Sequence, residues 1–122
     1  MLDLNTIKQV NKKGFKPKLV DPTTHTITIG RNVRKKPLPN HKWKGFKSCI
    51  ESFIEFHNGI IFVNSAGHGI WVDSKGQEIK EENQTFVFSS KEFLNKSELK
   101  RIAKLFRQEA IALTSGNTQL IG

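Results

Sequence analysis

Short β-rich runs separated by turn signals occupy much of the chain between residues 23 and 88, and this pattern constrains the fold most. Residues 23–29 are rich in Thr and Ile, whose branched side chains suit a pleated strand. Further β-rich runs follow at residues 60–63, 70–72, 77–80 and 85–88, with turn sequences at 66–69 and 73–76. The spacing predicts an antiparallel β-meander with tight connections.

One helix is clearly indicated near the C-terminal end. Leu99, Ile102, Ala103 and Phe106 fall at the i, i+3, i+4 and i+7 positions of a single apolar stripe. Asn95 precedes this stripe as an N-cap, and Glu98 three residues later completes a capping pair. The pattern predicts a long helix over about 96–107 that packs on the sheet.

Two further segments frame the sheet. Residues 3–13 carry Leu4, Ile7 and Val10 at a spacing of three, with Gly14 just beyond, which predicts a short N-terminal helix. Residues 110–121 read as a hairpin around a Ser-Gly-Asn turn at 115–117.

Residues 48–57 fit two structures. A capping-box pattern at 48–51 and apolar positions at helical spacing indicate a helix. Asn58-Gly59 between two β-rich runs indicates a type I′ hairpin turn instead, because both residues tolerate a positive φ. We favour the hairpin.

The fold class predicted is α+β: an antiparallel sheet of about five or six strands, a short N-terminal helix, one long helix on the sheet, and a C-terminal hairpin. The length of 122 residues suits a single domain spanning 1–122. Residues 30–47 combine seven basic residues with two prolines and two glycines, so we expect an exposed, mobile loop there. The residues expected in the core are Leu99, Ile102, Phe106, Ile111, Leu113, Ile61, Val63, Trp71 and Phe86.

The positive charge is concentrated at the front of the chain. Residues 1–47 hold 12 Lys and Arg against two Asp, a net of +10, while residues 48–122 hold 8 against 9 acidic residues, a net of −1. The two values give the total of +9. Such asymmetry indicates a polyanionic partner, namely nucleic acid, an anionic surface or an acidic protein.

The basic loop and the helix supply a candidate nucleic-acid interface. Lys and Arg neutralise phosphates, and an exposed Trp can stack on an unpaired base. The residues assigned to this interface are Arg31, Arg34, Lys35, Lys36, Lys42, Trp43, Lys44, Lys47, Lys100, Arg101 and Lys104. The leading hypothesis is therefore a non-enzymatic nucleic-acid-binding accessory protein, for RNA or DNA, that needs no cofactor.

Two alternatives belong to other classes of protein. A small metal-independent ribonuclease or toxin would use His57 or His68 as acid and base, with Glu55 beside His57 on one strand face. A basic inhibitor or adaptor, of the mobile-element type, would bind an acidic protein partner instead.

Metal binding and membrane insertion are not indicated. The histidines lack paired spacing, and Cys49, the single cysteine, cannot build a structural zinc site or an intramolecular disulfide. The longest apolar run, residues 60–63, is too short to cross a bilayer, and the N-terminus lacks the order of a signal peptide. We therefore expect a cytoplasmic protein.

Overall fold

The computed structural model describes residues 23–122, and the helix expected at residues 3–13 lies outside them. The elements are β1 (Thr23–Gly30), β2 (Asn32–Val33), β3 (Lys36–Pro37), α1 (Asn40–Phe56), β4 (Ile60–Val72), β5 (Glu78–Ser90), α2 (Lys96–Leu105), β6 (Ile111–Ser115) and β7 (Asn117–Ile121). Five strands form an antiparallel sheet in the order β4-β5-β1-β6-β7, and β2 pairs with β3 in a separate hairpin. The described part of the chain is thus α+β, as predicted.

The core lies between one face of the sheet and the two helices. Alternate residues of three adjacent strands point to this face: Ile27 and Ile29, Phe86 and Phe88, Ile111 and Leu113, all buried. Helix α1 covers them with Phe46, Ile50 and Ile54, and α2 with Leu99. The inward-facing residues recur every second position in the strands and about every 3.6 positions in the helices. These two sets of side chains pack together in one apolar layer.

Helix α1 takes the place of the second part of the loop expected at 30–47, from Asn40 onward, and of the strand expected before Asn58. Trp43, Phe46, Ile50, Phe53 and Ile54 form one buried stripe, and this stripe runs across the border between the two segments that were read separately. Pro39 precedes the helix, and its fixed φ suits the position where a helix begins. Residues 32–37 form the small β2–β3 hairpin.

Asn58-Gly59 ends α1 and does not turn a hairpin. Asn58 has a φ of 52°, its N–H donates to the Glu55 carbonyl at 2.9 Å, and the Gly59 N–H donates to the Ile54 carbonyl at 2.8 Å. These two bonds are the Schellman pattern, in which a left-handed residue closes a helix. Because Asn tolerates a positive φ in both settings, the dipeptide alone could not distinguish a hairpin from a helix end.

Strands β4 and β5 are each continuous, so the turn expected at residues 66–69 is absent. They pair from Ile60–Ser89 to Val72–Glu78, well past the end of β1, which pairs with β5 only as far as Asn83. Beyond that point they form a two-stranded ribbon at the side of the sheet. Val63 and Trp71 are therefore exposed on the edge strand, contrary to the expected core, whereas Ile61 and Phe106 are partly buried against the core. None of the helices within 23–122 is long and apolar enough to cross a membrane.

Candidate functional site

A polar cleft of about 460 Å³ opens where the ribbon meets the β2–β3 hairpin and the segment that follows α2. Its charged side chains are Arg34, Glu81, Arg107 and Glu109, and Trp71 lies beside them with 38% of its surface exposed. The lining is completed by Asn32, Val33, Gln108 and Ala110. We call this the polar cleft.

Asn32 fixes the floor of the polar cleft by joining three segments. Its backbone N–H donates to the Glu81 carboxylate at 2.8 Å, and its side-chain amide donates to the Lys80 carbonyl at 3.3 Å. Its carbonyl accepts from the Gln108 side chain at 3.2 Å. Because Asn32 is buried, these bonds satisfy polar groups that water does not reach, and they hold the ribbon and the post-α2 segment in one arrangement.

Gly30 makes room for the Glu81 carboxylate. A Cβ atom built on Gly30 would lie 2.6 Å from the carboxylate carbon and from one of its oxygens. This approach is closer than van der Waals contact, so an alanine at position 30 would displace Glu81. The absence of a side chain at Gly30 thus leaves the space that the Glu81 carboxylate occupies.

Arg34 and Arg107 enter the polar cleft from strained backbone positions. Arg34, with φ 60°, is the first residue of the two-residue loop between β2 and β3, where Gly is usual at positive φ. Arg107, with φ 57°, closes α2 in a second Schellman pattern: its N–H donates to Lys104, and the Gln108 N–H donates to Ala103 at 2.8 Å. Backbone strain at non-glycine residues concentrates at functional sites, so two such arginines in one cleft mark it as the candidate site.

The four charged side chains of the polar cleft are not paired with one another. The ion pairs among residues 23–122 are Arg31–Glu82, Lys35–Asp73 and Arg101–Glu98, and none joins cleft residues. Two guanidinium groups, two carboxylates and an indole ring are therefore presented together, although Glu81 also holds the Asn32 N–H. Such a set suits a ligand that carries both charges and a flat ring.

The basic residues assigned to nucleic acid are spread over several elements, and three of them are held in ion pairs. Arg31 is a structural clamp: its guanidinium donates to the Leu38 carbonyl at 2.7 Å, to Glu82 at 3.0 Å and to Asn40 at 2.8 Å. Lys35 donates to Asp73 at 2.8 Å, and this bond, with backbone N–H donors from Gln77 and Lys75, holds the pKa of Asp73 below its usual value. Most of the others are exposed on separate elements: Arg34 and Lys36 on the hairpin, Lys42, Lys44 and half-buried Lys47 on α1, and Lys100, Arg101 and Lys104 on α2.

Trp43 cannot stack on a base, because it is only 6% exposed. Its ring packs edge-on against Phe46 at 6.0 Å, and Phe46 stacks on Phe106 at 4.8 Å. Lys47 lies over the Trp43 ring with its Nζ 5.3 Å from the centroid. The aromatic residues of the basic segment are core residues of a helix.

The candidate catalytic residues differ in burial and lie on two different elements. His57 is buried, with Nδ1 donating to the Phe53 carbonyl at 2.8 Å and Nε2 accepting from the Asn95 N–H at 3.1 Å. Both ring nitrogens are engaged, so His57 joins the end of α1 to the start of α2 and has no free nitrogen for acid–base work. His68 is exposed on the edge strand β4, and Glu55 is exposed on α1. Residues 23–122 contain no group of three or more His, Cys, Asp and Glu side chains that could hold a metal ion.

No protein-family model matches the chain, and no curated protein matches it in sequence. Its fold is similar to that of a phage SAM lyase in complex with S-methyl-5′-thioadenosine, with a TM-score of 0.56 and 18% identity over 82% of this chain and 88% of that one. The apo state of a phage SAM lyase aligns with a TM-score of 0.48, at 18% identity over 88% of each chain. The first likeness establishes a shared fold.

The expected non-enzymatic nucleic-acid-binding function is wrong. The fold is shared with a phage SAM lyase that holds S-methyl-5′-thioadenosine, and the Trp assigned to base stacking is buried in the core. The expected nucleic-acid, polyanion and acidic-protein partners are therefore wrong as well, and the ribonuclease alternative loses His57 as an acid or base.

Trp71, Glu81, Arg107 and Glu109 are the cleft residues that the sequence did not single out as a site. Trp71 was placed in the core, and Arg107 was taken as the end of a helix over about 96–107, although the helix ends at Leu105. Glu81 and Glu109 follow no motif. One signal was present: the helix stripe ends near Phe106 with no Gly or Asn behind it, so a left-handed closing residue, if the helix has one, must be of another type.

Proposed function

We propose that this protein is an enzyme that cleaves S-adenosylmethionine and that the polar cleft binds this substrate. The observation that carries the proposal is the fold shared with a phage SAM lyase that holds S-methyl-5′-thioadenosine. The contents of the polar cleft support it independently, because they match the chemistry of this substrate group by group.

S-adenosylmethionine carries a flat adenine ring, a positively charged sulfonium, and an amino-acid end with an ammonium and a carboxylate. Trp71 offers an indole face for the ring, and such a face also attracts a nearby cation. Glu81 and Glu109 offer carboxylates for the cationic groups, and Arg34 and Arg107 offer guanidinium donors for the substrate carboxylate. A strong binder of nucleic acid would not need the two carboxylates, which repel phosphate.

The reaction breaks the bond between the sulfonium sulfur and the γ carbon of the amino-acid chain. The electron pair stays on sulfur, so S-methyl-5′-thioadenosine leaves as a neutral thioether. As this bond breaks, either the neighbouring carbon gives up a proton to a base, such as a carboxylate of the cleft, and an alkene forms, or the substrate's own carboxylate oxygen attacks the γ carbon and a lactone forms. Neither route consumes water, so the protein's tasks are to bind, to orient the chain and to keep water from the γ carbon.

The positive charge of the substrate disappears during this step. A carboxylate that stabilises the sulfonium therefore stabilises the bound substrate more than the transition state, and it contributes to affinity more than to the rate of the step. We assign Glu109, the more exposed of the two residues, this binding role, and Glu81 the role of joining the floor of the cleft to the ligand.

The test is to incubate the purified protein with S-adenosylmethionine in EDTA and follow S-methyl-5′-thioadenosine by chromatography and mass spectrometry. A no-protein reaction sets the background, because the substrate also decomposes by itself. We expect release well above that background and its loss in Arg34→Ala, with Lys44→Ala, an exposed cation on α1, as the matched control. Background-level release together with no binding by calorimetry would overturn the proposal.

A further inference from the structure

Asn83 lies beside the polar cleft, on the face of the sheet opposite to the helices. It is two residues from Glu81 in β5, and alternate residues of a strand point to the same face, so the two side chains are neighbours. Asn83 is half-buried. No side-chain hydrogen bond within residues 23–122 involves its amide, so the donor and the acceptor of this amide are available to a ligand.

Glycine flanks Asn83 on both neighbouring strands. In the register of the sheet Gly30 of β1 and Gly67 of β4 pair with Asn83, and Gly69 of β4 pairs with Glu81. The glycines within 23–122 that have a positive φ are at other positions, so backbone conformation does not require glycine at these three. Glycine inside a strand weakens the strand, and it often marks a place where a ligand comes close to the backbone.

Gly69 differs from the other two glycines, because no close contact requires it. A Cβ atom built on Gly67 would lie 2.8 Å from the side-chain oxygen of Asn83, and Gly30 makes room for Glu81 in the same way. A Cβ atom built on Gly69 would lie 3.6 Å from the side-chain nitrogen of Asn83, which is an ordinary contact. The β4 backbone at Gly69 is therefore bare although the fold has space for a side chain there.

The bare backbone at Gly69 lies between Trp71 and the Asn83 amide. Trp71 is two residues further along β4 on the same face, about 7 Å away between Cα atoms. The Asn83 amide reaches over β4 from the neighbouring strand, with its nitrogen beside Gly69. A stacked ring needs about 3.5 Å. One flat ring placed over Gly69 would therefore contact the indole and have its edge at the amide.

Building on the proposed cleavage of S-adenosylmethionine, on which this inference rests, we propose that Asn83 recognises the base of the substrate. Its amide forms two hydrogen bonds with the edge of adenine that carries the 6-amino group, while the ring lies over Gly69 beside Trp71. An amide presents an acceptor and a donor side by side, and adenine presents the matching pair, the amino group and a ring nitrogen. A base without the amino group leaves the amide oxygen unpaired, so the site selects against it.

The test compares two ligands that the protein does not cleave: S-methyl-5′-thioadenosine and its analogue with unsubstituted purine in place of adenine. Calorimetry should show that the parent chain binds the adenine compound tighter by about tenfold or more, the discrimination expected of a bidentate amide–adenine pair. In Asn83→Ala the two compounds should bind almost equally. A partly unfolded variant would bind both ligands less and leave their ratio unchanged, so the ratio reports recognition of the base alone.

Gly69→Ala tests the position of the ring. Its methyl group makes only an ordinary contact, so urea unfolding should show equal or greater stability. Binding of S-methyl-5′-thioadenosine should fall by roughly tenfold or more, because the methyl group occupies the place of the ring. Gly45→Ala is the matched control: its Cβ would also lie 3.6 Å from its nearest neighbour, the Phe106 ring, but inside α1, so affinity should be unchanged.

An unchanged preference for adenine in Asn83→Ala would overturn the proposal, because another group would then recognise the base. Full affinity in Gly69→Ala would refute the position of the ring. Equal binding of the two compounds by a parent chain that cleaves S-adenosylmethionine would reject the role of Asn83 and leave the proposed function standing. A parent chain that neither binds S-methyl-5′-thioadenosine nor cleaves S-adenosylmethionine would reject both.

Discussion

Arg34 and Arg107 both have a positive φ, 60° and 57°, and both line the same polar cleft, although one lies in a hairpin loop and the other closes a helix. At each position Gly would relieve backbone strain. Arginine in place of glycine at these two positions therefore lowers the stability of the fold. Both positions line the polar cleft, which connects this loss of stability to the cleft.

We predict that Arg107→Gly stabilises the fold and weakens the cleft. Removing a left-handed non-glycine residue at the end of α2 should raise the free energy of unfolding by about 1 kcal/mol. Urea unfolding measures this gain, and calorimetry with S-adenosylmethionine should show weaker binding. Asn58→Gly is the control: Asn58 closes α1 with the same geometry outside the cleft, so binding should be unchanged and the gain smaller, because Asn tolerates this conformation. Unchanged binding in Arg107→Gly would remove Arg107 from the site.

We predict that Gly30→Ala damages the cleft more than the fold. The new methyl group would meet the Glu81 carboxylate, which is the end of a flexible side chain and can move away. The bond to the Asn32 N–H would then be lost, at a cost of about 1–3 kcal/mol for an unsatisfied buried donor. We expect a large fall in the rate of S-adenosylmethionine cleavage and a smaller relative fall in the free energy of unfolding.

Gly45→Ala is the matched substitution for that experiment. A Cβ at position 45 would lie 3.6 Å from the Phe106 ring, an ordinary contact, and Gly45 lies inside α1. The change should therefore stabilise the protein by up to about 1 kcal/mol and leave cleavage unchanged. A Gly30→Ala protein with full activity would show that the position of Glu81 does not matter.

The sequence predicted those parts of the fold that depend on local periodicity. The stripe of Leu99, Ile102 and Ala103 identified α2, and the Asn95 cap was located correctly, since its side chain accepts the Glu98 N–H. The β-branched run at residues 23–29 identified β1. In each case the pattern of side chains repeats within one element. The element could therefore be recognised without knowing which segments pack against it.

Segments whose structure depends on distant partners were not predictable in the same way. Asn58-Gly59 has the same local preference in a hairpin and at a helix end, and only the buried stripe from Trp43 to Ile54 decides between them. Trp71 has the composition of a core residue, but its strand runs past the end of β1, so no helix covers it. The polar cleft is formed by a hairpin loop, a ribbon and a helix end. These segments are separate in the sequence, so no motif spacing could predict the cleft.

We predict that Glu109→Gln raises KM for S-adenosylmethionine by roughly tenfold and also raises kcat, so that kcat/KM changes much less than KM. The reason is that the substrate loses its positive charge as the carbon–sulfur bond breaks, so the lost attraction is mainly a ground-state attraction. Steady-state kinetics separates the two constants, and Glu51→Gln on α1 serves as a charge-matched control. An equal fall of kcat and kcat/KM would assign Glu109 to the chemical step instead.

We predict that folding stability decreases as the pH falls below about 6.5, the unperturbed value for His. His25 is buried against the Phe88 ring, with the ring centroids 5.2 Å apart, and it shares a hydrogen bond with Ser115. Burial lowers the pKa of His25, because the charged imidazolium is poorly solvated there. Below the unfolded-state value the unfolded chain binds a proton that the folded chain resists, so acid favours unfolding, and the loss grows until the pH reaches the lowered value in the folded state. Urea unfolding between pH 8 and pH 5 should show this decline. In His25→Gln, which cannot titrate, the decline over this range should be clearly smaller, whereas an identical decline would mean that other groups cause it.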